Sequence, residues 1–111
     1  MRSKAPDKSK NIGRIMILIK IHKTPNGDIV SMCDKNLLGK KLEDKNLKIT
    51  VSEKFYKGDE IKDKTELLNL LKNTSNLNII GAESIDFAIK NHIIEKQNVI
   101  IIKKVPHAIR I

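Results

Sequence analysis

Apolar residues along the chain fall into short groups with two distinct periods. Ile15 to Ile19 is an unbroken apolar run that then alternates through Lys20, Ile21 and His22. This pattern predicts a strand over 15–22 that is central in its sheet and buried on both faces at its start. Pro25-Asn26-Gly27-Asp28 follows, and Asn-Gly supplies the positive φ angles of a tight hairpin turn, so Ile29 to Cys33 is expected to return antiparallel. Asp34 is placed to cap a turn or two of helix through Leu37 and Leu38, with Gly39 as its left-handed stop.

Leu47, Ile49 and Val51 alternate with polar residues and predict a third strand with one wet face. Asp63 and Glu66 have capping-box spacing ahead of Leu67, Leu68, Leu70 and Leu71, which predicts a helix ending near Asn73. Leu77 to Ile80 reads as a strand, Gly81 breaks it, and Ile85, Ala88, Ile89, His92 and Ile93 recur at helical spacing in a second, longer helix. Val99 to Ile102 is the last apolar run, so residues 77–102 have the order and length of a β-α-β crossover. The fold class expected is α+β: one mixed sheet with an N-terminal hairpin, a third strand and the crossover, and two main helices packed on it.

Composition narrows the class without naming a function. In 111 residues, 40% hydrophobic and 32% charged, there is material for one core, and residues 16–111 are read as a single domain without internal repeats. The net charge of +9 favours an anionic partner, although a chain rich in Lys, Ile and Asn is also what an AT-rich genome writes for proteins of any role. Residues 1–15 hold Arg2, Lys4, Lys8, Lys10 and Arg14 against Asp7, a net of +4, and are read as a basic arm, either a nucleic-acid arm or a solvated tail. The single cysteine, Cys33, excludes an internal disulfide and suits a reducing compartment. No apolar run approaches the roughly 20 residues of a membrane-spanning helix, so the expectation is a cytoplasmic protein with no membrane contact.

From Met16 onward the motif order resembles a small archaeal family known as domain of unknown function 424. The resemblance rests on Lys20-Ile-His-Lys23, Cys33-Asp34 with Leu37-Leu38-Gly39-Lys40, and Val51-Ser52-Glu53-Lys54-Phe55-Tyr56 with Gly58. It continues in Ile80-Gly81-Ala82-Glu83, Ala88-Ile89, Asn98-Val99-Ile100 and the terminal Val105-Pro106-His107-Ala108, its most specific piece. Residues 1–15 depart from the family pattern, whose members begin near the position of Met16. The resemblance implies a housekeeping protein whose genes tend to lie near those of translation and ribosome biogenesis, and it implies no ligand.

The residues that carry chemistry have plain alternatives. His107, with Lys103, Lys104 and Arg110 around it, is either a phosphate-contacting cluster or a solvated basic terminus. Cys33 and His22 are the one thiol and imidazole that a hairpin would pair, against the ordinary case of an inert packed cysteine. Gly81 ahead of a helix is either a phosphate cradle or a tight turn, and Glu83 opposes an anion there. His92 reads as a packed or capping histidine. No cysteine and histidine spacing suggests a metal, no cofactor motif is present, and Phe55, Tyr56 and Phe87 are too few for a stacking platform, so backbone and shape contacts should dominate any RNA binding.

The functional expectation is therefore a non-enzymatic, translation-associated protein that contacts ribosomal or other structured RNA. The residues proposed to do so are Arg2, Lys4, Lys8, Lys10, Arg14, Lys40, Lys41, Lys103, Lys104, His107 and Arg110. The alternatives are a protein-interaction adaptor in the same machinery and, last, an enzyme using Cys33 and His107, for which no acid, base and nucleophile set assembles.

Overall fold

The structure, a computed structural model, describes residues 16–61 and 63–111. The basic residues proposed in the arm, Arg2, Lys4, Lys8, Lys10 and Arg14, lie outside the described residues.

The hairpin forms as the pattern predicts and runs longer: β1 (Ile17–Thr24) pairs antiparallel with β2 (Gly27–Asp34) from Ile17 opposite Asp34 to Thr24 opposite Gly27. Its turn differs from the expectation. Pro25 and Asn26 are the two loop residues, and only Gly27 takes a positive φ, +116°. Proline fixes φ near −65°, so the first turn position cannot adopt the positive φ that an Asn-Gly turn of the primed type requires.

Asp34 precedes a 3-10 turn, Lys35–Leu37, but its side chain does not cap it. The predicted third strand is also displaced. β3 (Lys41–Asp44) and β4 (Leu47–Thr50) make a separate two-stranded antiparallel sheet. Leu42 and Val51, with Ile49 behind them, pack on the outer face of the main sheet instead of joining it edge to edge. A short helix, α1 (Glu53–Tyr56), starts at Ser52, whose hydroxyl accepts from the Phe55 N–H, and β5 (Asp59–Glu60) then lies along β1.

α2 (Lys64–Lys72) is capped by Asp63, whose carboxylate accepts from the Thr65 N–H at 2.8 Å, and it buries Leu67 and Leu71 completely. β6 (Asn76–Ile80) pairs parallel with β2, and α3 (Ala82–Lys90) follows. The two helices are of equal length, nine residues each. α3 stops early because His92 leaves it at φ +60°, the Ile93 N–H bonding to Ala88 O and the His92 N–H to Ile89 O, the paired bonds of a left-handed helix stop. His92 is consequently exposed beyond the helix and not on its apolar stripe.

After a 3-10 turn at Lys96–Asn98 come β7 (Ile100–Ile102) and β8 (Val105–Arg110). β7 is parallel to β6, as a crossover through α3 demands, but β8 inserts between them, antiparallel to both. Of the residues read from sequence as a basic terminus, His107 and Arg110 thus belong to an inner strand of the sheet, and Lys103 and Lys104 form the turn ahead of it. Pro106 is tolerated there because β6 pairs only with His107–Arg110, so the missing N–H falls past the end of β6.

The strand order is β5-β1-β2-β6-β8-β7, and side chains leave it alternately toward two cores. Ile17, Ile19, Val30, Met32, Leu77, Ile79 and Ala108 face α2 and α3. Leu18, Cys33, Ile80 and Ile102 face α1, the 3-10 turn at Lys35–Leu37 and the β3–β4 hairpin. At roughly 1.5–3 kcal/mol for each large apolar side chain buried, both faces contribute to stability. The helix face buries the larger cluster, though Ile21 and Ile101 at its margins stay exposed, and the other face is covered over only part of its area. Among the described residues, no helix is long and apolar enough to cross a membrane.

Candidate functional site

The partly covered face carries most of the chain's polar chemistry. Short helix α1 is held on it by donors from the hairpin: Lys20 Nζ donates to Lys54 O at 2.6 Å, and His22 Nε2 and Ser31 Oγ donate to Phe55 O at 2.9 and 2.8 Å. The helix's unpaired last carbonyls are thereby satisfied from below. The same arrangement stacks the His22 ring on Phe55, centroids 4.4 Å apart and 18° from coplanar.

One register step away, the Tyr56 hydroxyl donates to Asn78 Oδ1 at 2.6 Å, and His107 Nε2 lies 3.2 Å from the same oxygen. A carboxamide oxygen only accepts, so the His107 proton is on Nε2, and Nδ1 is left buried with no partner among the described residues. His107 is 7% exposed, and burial lowers its pKa from the ordinary 6.5. It is a neutral member of an internal network, turned away from solvent and from any phosphate.

Arg110 is also engaged internally. Its guanidinium donates to Ile93 O at 2.7 Å, Leu71 O at 3.2 Å and Thr74 O, clamping the chain beyond the ends of α2 and α3 where carbonyls lack helical partners. Of the residues proposed within the described region, Lys40, Lys41, Lys103 and Lys104 are therefore the ones whose charges are exposed. They belong to neighbouring strands and the residues adjoining them. β3 lies against β7, Leu42 and Ile102 enter one apolar cluster, and the two lysine pairs directly flank these strands. Lys103 and Lys104 form the two-residue turn between β7 and β8 with φ of +52° and +68°, a conformation that normally selects Asn and Gly.

Elsewhere three lysines are paired with acidic side chains. Lys23 pairs with Asp28 at 3.0 Å, Lys35 with Glu60 at 3.2 Å and Lys90 with Asp86 at 3.0 Å, exposed pairs that contribute little to stability.

Cys33 and His22 do share the outer face, but Cys33 stands opposite Leu18 and His22 opposite Ile29, four residues along the strand, or roughly 13 Å. Burial, and after it the neighbouring Asp34 carboxylate, pushes the Cys33 thiol up to about 11, and the thiol is fully enclosed. His107 is two strands away from it, on the far side of Ile80, roughly 10 Å. No activated thiol results from this geometry. Among the described residues, no group of three His, Cys, Asp or Glu side chains stands close enough to hold a metal ion.

The phosphate-cradle reading of Gly81 is overturned by an internal anion. Asp34 Oδ2 accepts from the Glu83 N–H at 3.0 Å, and Oδ1 accepts from the Ser84 N–H and hydroxyl, both at 2.8 Å. The N-terminus of α3 is therefore occupied by a carboxylate from β2, and Gly81 makes room for it. Sequence reasoning assigned Asp34 to the adjacent turn because local capping is the common case; its true partner is 50 residues away.

A family model described as "Protein of unknown function (DUF424)" matches residues 21–111, from within β1 to the end of β8. No curated protein matches the sequence. Among solved structures, an uncharacterized conserved protein from Methanopyrus kandleri superposes with a TM-score of 0.71 at 21% identity, over 84% of this chain and 88% of that one. At that identity the likeness is one of fold.

Proposed function

The chain belongs to the family described as "Protein of unknown function (DUF424)", and for it we propose a non-enzymatic, cytoplasmic, translation-associated role in contacting ribosomal or other structured RNA. The observation that supports this reading is that Lys40 and Lys41 at the start of β3 and the Lys103–Lys104 turn after β7 belong to strands that touch, all four exposed, within a chain of net charge +9. Two exposed lysine pairs, one at the start of β3 and one in the turn after β7, suit phosphates on neighbouring strands of a structured RNA, where contacts position the protein without reading sequence. His107 and Arg110 support the sheet and helix ends beneath this surface and are not among the contacting groups.

The test is sedimentation of native lysate through a sucrose gradient at low and high salt and after mild nuclease. Co-migration with a ribosomal subunit that high salt abolishes is the expected result, since each phosphate contact makes affinity fall with salt. Migration at the top of the gradient in every condition overturns the reading. A second reading, a protein-interaction adaptor, draws on the exposed isoleucines of the edge strand β7, Ile100 and Ile101, and on Ile109 of the neighbouring β8. It requires a protein partner that survives nuclease and high salt.

A further inference from the structure

Where α1 stops short, the outer sheet face is open as a cleft of about 360 Å³ between Ile29, Phe55, Asn76, Asn78 and Ile109. That volume is within the range of small-molecule sites, roughly 300–1,000 Å³. Its walls are apolar and aromatic, and its floor carries two carboxamides from alternate positions of β6, hence on one face of the strand. Asn78 is oriented by the core: Oδ1 takes both the Tyr56 and His107 protons, which turns Nδ2 the opposite way. Neither Asn78 Nδ2 nor the Asn76 side chain has a partner among the described residues, although both residues are only half-exposed. The Phe55 ring also lines a second cleft, with Lys20, His22, Ser52 and Lys54, and so separates the two. Lys20 uses one of its three donors on Lys54 O and keeps two. No Asp or Glu side chain lines either cleft.

We propose that this cleft receives one unpaired base of an RNA, Asn76 and Asn78 hydrogen-bonding its edge, Phe55, Ile29 and Ile109 meeting its rings, and Lys20 and Lys54 holding the adjoining phosphate. The occupant follows from the combination: oriented carboxamides and an aromatic wall suit a flat heterocycle, and two lysines across that wall suit the anion attached to it. Asn is suited to a base edge because one carboxamide both donates and accepts. The inference rests on the RNA-contacting reading and adds to it a preference for unpaired nucleotides, supplied by a surface separate from the lysine turn.

The experiment compares binding of the full chain to two RNAs with equal numbers of phosphates, a hairpin with an unpaired loop and a blunt duplex, by fluorescence anisotropy at several salt concentrations. The wild type is expected to bind the hairpin about tenfold more tightly, within what base stacking on an aromatic ring contributes. Asn76→Ala and Phe55→Leu should each reduce that preference to near onefold, leaving duplex affinity and salt slope in place. The Asn76 side chain makes no hydrogen bond among the described residues, so Asn76→Ala keeps the test readable should Phe55→Leu disturb α1. Equal binding of both RNAs by the wild type, or a preference that survives both substitutions, overturns the inference while the lysine surface stands. Failure of both RNAs to bind at low salt overturns both.

Discussion

Asp34 and Gly81 occupy one space: a β-carbon at position 81 would lie 2.3 Å from Cγ of Asp34. Gly81 has φ +118°, a conformation that other residues rarely adopt, and with no side chain of its own it lets the β2 carboxylate cap α3.

The pair should therefore behave as a unit. Asp34→Ala leaves three donors of α3 without their acceptor and is expected to cost about 1–3 kcal/mol in urea unfolding. Gly81→Ala should cost a similar amount through the clash and the backbone strain. In the double variant the clash is gone, so the two losses should fall short of additivity by about 0.5–3 kcal/mol. Additive losses would mean that the carboxylate and the glycine do not share that space.

The Lys103–Lys104 turn separates binding from folding. Replacing it with Asn-Gly removes two residues from a conformation that costs each roughly 1–2 kcal/mol, so the urea midpoint should rise. The same change removes two charges, so RNA affinity should fall and the salt slope shrink by about 2. Higher stability with unchanged RNA binding would remove this turn from the interface.

Arg110 predicts the opposite pattern. Arg110→Ala leaves three carbonyls without their charged donor and should cost about 2 kcal/mol, with RNA affinity of the folded fraction unaltered. Arg110→Lys should restore only part of the stability, because a compact ammonium cannot span three acceptors as a guanidinium does. A selective loss of RNA binding in a fully stable Arg110→Ala would contradict the clamp.

His107 predicts how stability depends on pH. Its pKa is lowered in the folded state, so above about 6.5 both states carry the neutral ring and nothing is lost. As pH falls below that value the unfolded chain binds a proton that the folded chain refuses, and stability declines toward the folded pKa. His107→Gln, which keeps a donor for Asn78, should flatten the difference in urea midpoint between about pH 7.5 and pH 5. An unchanged slope would assign the effect to other groups.

Cys33 should be inert to thiol reagents at pH 8 in the native protein, since its thiol titrates at about 11 and is enclosed. Reaction in urea at the ordinary rate, and native reaction no faster than unfolding allows, is the expected result. Rapid native labelling would show that the outer core opens.

Patterns of period two and three to four were legible without a structure wherever an element's own side chains decide it. The hairpin of β1 and β2, α2 behind its Asp63 cap, and β6 are of this kind, because alternation and amphipathic spacing record which neighbours are buried. β8 was hidden by its composition: proline with His107 and Arg110 read as a tail, and only the place of Pro106 past the end of β6 explains why proline is allowed. The candidate site was less legible still. Phe55, Asn76, Asn78, Lys20 and Lys54 come from three separated stretches, and none of them belongs to a motif with a known chemistry.

By itself the sequence determined the α+β class, the excess positive charge and the lack of an internal disulfide, all of which depend on local pattern or on composition. Tertiary structure alone decided which polar groups are spent internally and which remain for a partner. Asp34 caps a helix 50 residues away, Arg110 clamps the ends of α2 and α3, and His107 turns inward to Asn78. The physical reason is that a buried donor or acceptor must be satisfied by whatever the fold brings near it, and that distance in space is not written in the order of residues.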